Sequence, residues 1–95
     1  MPRLTDQQIS QALASLPGWE RVGHAIEKRF AFATFADAVA FVVRLAFEAE
    51  SADHHPDISI GYRRVTLSYS THSEGGLTTR DIDAAAKANA LFERP

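Results

Sequence analysis

The chain contains no cysteine. That excludes a disulfide framework, a thiolate nucleophile and any cysteine-ligated metal centre. It also lacks an excess of one charge. Ten Lys and Arg stand against twelve Asp and Glu, 10 − 12 = −2. Composition therefore gives no basic surface of the kind that binds nucleic acid, although Arg63-Arg64 forms a local basic pair. Long hydrophobic runs are missing too. The most apolar stretch, FADAVAFVVRLAFEA, is interrupted by Asp37 and Arg44 and is too short to cross a bilayer. The opening MPRLTDQQIS is polar and has no apolar segment of the secretory type. The expectation is a soluble cytoplasmic protein with no membrane partner and no direct nucleic-acid binding. Repeats, linkers and low-complexity segments are absent, so residues 1–95 are expected to form one domain. A chain of this size buries roughly two thirds of its unfolded surface, enough for a modest core.

What is present alternates between helical and strand-like patterns. A first helix is predicted from Asp6 to about Leu16, capped by Thr5, with Ile9, Ala12, Leu13 and Leu16 on one face. Pro17-Gly18 stops it. The runs WERV and AIEKRFAF follow as strands, joined by a turn at Gly23-His24. A second helix is predicted from about Phe35 to Ser51 with Thr34 as cap. Its expected buried stripe is Phe35, Val39, Val42 and Ala46, with Val43 and Phe47 beside it and Phe41 as a further apolar position. DISIG and RVTLSYS alternate apolar and polar residues and make a second hairpin around Tyr62-Arg63. Thr78 opens a third helix, TRDIDAAAKANALFE, where Thr78 and Asp81 form a capping box and Ile82, Ala85, Ala86 and Leu91 or Phe92 are the expected buried positions. The order α-β-β-α-β-β-α implies an α+β fold. Two hairpins make a four-stranded antiparallel sheet, covered on one face by three helices.

The candidate functional residues cluster at the open end of the second hairpin. With its turn at Tyr62-Arg63, residues whose numbers sum to about 125 lie opposite one another, which sets Asp53 against His72 and His54 against Thr71. Pro56 biases His55 toward extended backbone and requires the second helix to end before it. Glu50 and Asp53 are close enough in sequence to orient an imidazole. Three readings of His54, His55 and His72 follow: metal ligands, proton-transfer groups, or plain loop residues. The spacings H-x-H, H-x-x-x-H and H-x-x-E do not occur at His54, His55 or His72, which weakens the metal reading. Ser68, Ser70, Thr71 and Ser73 are near but form no nucleophile elbow. Gly75-Gly76 reads as a flexible turn or an anion cradle. Trp19 reads as core or as the lining of a ligand pocket, and His24 as a solvated turn residue.

The stretch EAESADHHPDISIGYRRVTLSYSTHSEGGLTTRDIDAA resembles the signature region of the pterin-4a-carbinolamine dehydratases. Glu50, His54, His55, Pro56, Tyr62, His72 and Asp81 stand at the spacings of the family pattern, and LPGW upstream adds to the likeness. The resemblance implies dehydration of 4a-hydroxytetrahydropterin to quinonoid dihydropterin and water, in tetrahydropterin recycling. It implies no metal and no cofactor other than the pterin itself. It assigns His54, His55 and His72 to the active site, with Glu50, Asp53 and Asp81 as acidic positions in or beside it. Pro56, Thr71 and Trp19 complete the candidate substrate contacts. It also implies a homodimer or homotetramer and a functional link to an aromatic amino-acid hydroxylase. Animal members serve in addition as a dimerization cofactor of a transcription factor, so a non-catalytic pterin-binding or protein-partner module is the alternative reading.

Overall fold

The computed structural model describes residues 2–94. Along the chain run α1 (Asp6–Leu13), β1 (Glu20–Val22), β2 (Ala25–Ala31), α2 (Phe35–Ala52), β3 (Asp57–Gly61), β4 (Arg64–Tyr69), a 3₁₀ turn (His72–Glu74) and α3 (Thr79–Glu93). The strands form one antiparallel sheet in the order β1-β2-β4-β3. Three helices and one four-stranded sheet make the α+β architecture that the element order predicts.

Register explains which face is buried. Ile26 lies opposite Tyr69, Lys28 opposite Leu67 and Phe30 opposite Val65. Opposed residues share a face, and Ile26, Phe30, Val65, Leu67 and Tyr69 are all buried there. The helices supply the other half of the core. Phe41 of α2 meets Phe30 and Phe32 at ring-centroid distances of 5.0 and 5.2 Å, and Phe92 of α3 meets Phe30 at 5.1 Å. Burying one such side chain contributes about 2 kcal/mol. Ile9 and Leu16 join the same core from the N-terminal segment.

Two of the three α-helix starts are capping boxes. Thr5 and Gln8 close α1, and Thr78 and Asp81 close α3. Thr34 caps α2 by accepting from Asp37 N. The far end of α1 differs from expectation: the helix stops at Leu13, not Leu16. Pro17 disfavours helical backbone at the residue before it. The chain there tightens into shorter steps, with Ser15 N bonding Ala12 O and Leu16 N bonding Leu13 O. Leu16 is buried all the same.

Two further expectations are corrected. The face of α2 turned to the core carries Ala38, Phe41, Leu45 and Ala49, with Val39 and Val42 half-buried, while Phe35, Val43, Ala46 and Phe47 are exposed. A helix that is apolar nearly all round offers two stripes of equal period. The rings of Phe30, Phe32 and Phe92 around Phe41 decide between them. In α3, Ala88 is buried and Ala86 is exposed, with Ile82 only half-buried. Asp81 joins Ala85 and Leu91 among the buried positions.

Candidate active site

The end of α2 delivers the first histidine. Asp53 takes the left-handed conformation, φ 51°. Its N–H bonds Glu50 O, and His54 N–H bonds Ala49 O. These are the two bonds of a Schellman motif, with Asp in the place glycine usually holds. Arg80 of α3 fastens this turn by donating from Nη2 to Asp53 O at 3.0 Å and Ala52 O at 3.3 Å. The reversal turns His54 inward, leaving it only 9% exposed.

Inside, His54 Nε2 lies 2.6 Å from Asp81 Oδ1. Asp81 is fully buried. Its other oxygen, Oδ2, accepts from Thr71 Oγ1 at 2.8 Å and from Thr78 N at 2.9 Å. One carboxylate thus closes the N-terminus of α3 and grips an imidazole. The threonine hydroxyls continue the network: they lie 2.9 Å apart, and Thr78 Oγ1 accepts from Arg80 N. Thr71 spends its only proton on Asp81, so Thr78 is the donor between the two. Among the described residues no buried side-chain nitrogen or oxygen lacks a partner. A carboxylate that only accepts leaves the Nε2 proton on His54, and the ring offers Nδ1 as its second nitrogen.

Tyr69 backs this pair. Its ring stacks near-parallel to His54, 15° apart with centroids at 5.9 Å. Burial, with the Asp81 charge as a second cause, pushes the Tyr69 phenol up to about 12. Behind Tyr69 stands Trp19, 5.9 Å away centroid to centroid. Trp19 is itself buried and gives its indole N–H to Asn89 Oδ1. Of its two sequence readings, the packing is that of a core residue, one ring removed from His54.

The other candidates are placed as follows. His55 is exposed, with Nε2 3.4 Å from Glu50 Oε2 on the surface. His72 is exposed at the start of the 3₁₀ turn, next in sequence to Thr71. Pro56 is half-buried just before β3. The hairpin register holds as expected from Gly61↔Arg64 to Asp57↔Ser68 but goes no further. The extrapolated pairing of Asp53 with His72 is thereby corrected: Asp53 belongs to the helix end, and Thr71 bridges to Gly76. His54 and Thr71 do meet, through Asp81. Among the described residues no group of three or more His, Asp or Glu side chains is placed to hold a metal ion. The sequence assigns no site role to Tyr69, Arg80 or Thr78, although Tyr69 falls in the strand alternation, Arg80 in the family-like stretch and Thr78 in the capping box.

A small α+β fold with a buried His–Asp pair beside two exposed histidines defines the class. The sequence profile of the family described as Pterin 4 alpha carbinolamine dehydratase matches residues 2–91. A protein of Mycobacteroides abscessus, named provisionally as a pterin-4-alpha-carbinolamine dehydratase, is 52% identical over 99% of this chain and 100% of its own. One from Roseiflexus with the same provisional name is 49% identical over 95% and 97%. The crystal structure of a transcriptional coactivator/pterin dehydratase from Brucella melitensis superposes with a TM-score of 0.91 at 41% identity, covering 95% of this chain and 98% of that one. A pterin dehydratase-like protein identified as a RuBisCO assembly factor in the alpha-carboxysome gives 0.66 at 27% identity over 81% and 89%. The chain belongs to the pterin-4-alpha-carbinolamine dehydratase family. No helix among the described residues is long and apolar enough to cross a membrane.

Proposed function

We propose that the protein dehydrates 4a-hydroxytetrahydropterin to quinonoid dihydropterin and water, with His54, His55 and His72 as the acid–base set. The observation that carries this reading is the buried Asp81 holding His54 by Nε2. A structural histidine needs no buried carboxylate saturated from its other side, whereas a proton-transfer histidine gains a fixed tautomer and orientation from one. In the reaction the C4a–O bond breaks. An acid protonates the departing hydroxide, and a base takes a ring N–H proton so that its electron pair closes the quinonoid system. The reaction consumes no redox equivalent and its charges balance through two proton transfers. His54, braced by Asp81, is a group of fixed geometry; His55 and His72 are exposed and free to meet a flat ring from solvent. Exposed Glu50 lies 3.4 Å from His55, Asp53 and Pro56 flank the His54-His55 pair in sequence, and Thr71 precedes His72.

The test is a stopped-flow assay with freshly generated 4a-hydroxytetrahydropterin. His54→Ala and His72→Ala should each slow dehydration by about 10²-fold or more, and the double variant should lose less than the product of the two. Folded single variants with full activity would overturn the assignment. Activity should also survive exhaustive chelation; loss restored by one metal would replace the proposed cofactor-free chemistry.

The second reading is a protein-partner module. It is favoured by the two structural relatives whose descriptions include coactivator and assembly-factor roles. A wild-type protein that binds a pterin without turning it over would support it.

A further inference from the structure

A cavity lies away from His54, His55 and His72, between the start of α1, the β1–β2 turn with His24, and the segment leading into α3. Its volume is about 590 Å³, within the range of roughly 300–1,000 Å³ that small-molecule sites occupy. Two guanidinium groups reach it from different elements. Arg3 lies across Gly76, where an added Cβ would come within 3.0 Å of Arg3 Cδ, and its Nη1 is 3.5 Å from Gly75 O. Glycine at 76 therefore makes room for the arginine. Arg21 extends from β1, with Nη1 donating to Asp6 Oδ1 at 2.9 Å and Nε 3.4 Å from Gly23 O. Ile9 and Leu77, both buried, contribute apolar lining. A guanidinium has five N–H donors. The contacts above use one from Arg3 and two from Arg21, which leaves several for a ligand.

We infer that this cavity binds a small molecule bearing a phosphate monoester. Two arginines meet the several oxygens of one phosphoryl group better than a single carboxylate would allow. The volume left over accommodates an organic body the size of a nucleoside, lying over half-buried Leu4 and the small exposed edges of Ile9 and Leu77. Asp6 is the built-in competitor. With Arg3 and Arg21 against Asp6 the lining carries a net positive charge, but Asp6 already occupies one arm of Arg21. A phosphate must share or displace that contact, so binding is weak with Asp6 present and salt-sensitive throughout.

The test uses adenosine 5′-monophosphate as probe, adenosine as its uncharged counterpart, and amide chemical-shift titration at low ionic strength. The nucleotide should shift Leu4, Ile9, Gly76 and Leu77, and adenosine should not. Arg3→Ala and Arg21→Ala should each weaken binding by about 5- to 10-fold. Both side chains are exposed, so neither change threatens the fold. Asp6→Asn should tighten binding several-fold, an effect in the opposite direction that a general loss of structure does not produce. Silence at millimolar nucleotide, an equal response to adenosine, or affinity indifferent to both arginine substitutions would each overturn the inference.

Discussion

At the scale of single residues, Asp81 carries two tasks that are usually separate. As the N3 residue of α3 it caps a helix, and as the partner of His54 it orients an imidazole. Asp81→Asn keeps an oxygen for one task and brings an amide that cannot accept in its place. It should lower the dehydration rate by about 10²-fold and cost about 1–3 kcal/mol of stability, since a buried donor loses its acceptor. Tyr69 gives a second prediction, through pH. Its phenol titrates near 10 in an unfolded chain and at about 12 in the fold. Below pH 10 both states hold the proton and stability is unaffected. Between 10 and 12 the unfolded chain gives it up while the folded one retains it, so stability falls as pH rises. Tyr69→Phe removes this loss. The stability advantage of wild type over the variant should shrink by about 1 kcal/mol between pH 9 and 11. Urea unfolding of both proteins at pH 9, 10 and 11 measures it; parallel profiles would mean that Tyr69 is not buried against the charge of Asp81.

At the scale of elements, the two capping boxes have the same chemistry in different surroundings. Thr5 is exposed and closes α1 with Gln8, also exposed. Thr78 is fully buried, accepts from Arg80 N, and donates to Thr71 within the Asp81 network. Thr5→Ala should cost toward the low end of the range for lost caps and Thr78→Ala toward the high end, about 0.5 against about 2 kcal/mol. Thr78→Ala should also slow dehydration, because it loosens the group that positions His54. Equal stability losses with activity untouched would separate the cap from the site. The same contrast marks what the sequence could reveal. Caps, turns and strand alternation are local, and Thr5, Thr34, Thr78 and the Tyr62-Arg63 turn all stand where they were read. The buried face of α2 was not readable, because Phe35 and Phe41 fit equally good stripes and only the rings of β2 and α3 choose Phe41. The His54–Asp81 site was half readable. Extrapolating the hairpin points His54 toward Thr71, but the register ends at Asp57↔Ser68, and the Schellman turn at Asp53 and the reach of Asp81 from α3 are three-dimensional facts with no spacing of their own.

At the scale of the whole molecule, the sheet has an edge that the helices do not cover. β3 pairs only with β4, and all five of its residues are exposed. Ile58 and Ile60 share the face of Leu67 and Val65, yet remain 40% and 42% exposed. On α2 the stripe displaced from the core leaves Phe35, Val43 and Phe47 in solvent, Phe47 at 74%. Unpaired strand edges and exposed apolar side chains are both liabilities that proteins cover. The homodimer or homotetramer expected from the family resemblance would cover them. Phe41 takes no part, being wholly committed to the core, but Phe47 is available. A protein held together this way should scatter light at two or four times the chain mass at micromolar concentration. Ile60→Asp should weaken assembly through the strand edge and Phe47→Asp through the helix face. Neither side chain contributes to the monomer core, so each variant should fold with unchanged helix content. If dimers form by the edge and pair into tetramers by α2, Phe47→Asp should stop assembly at the dimer, while Ile60→Asp should remove the dimer itself. A wild-type protein that scatters as a monomer would refute the assembly, and an unchanged mass in both variants would place the contact elsewhere.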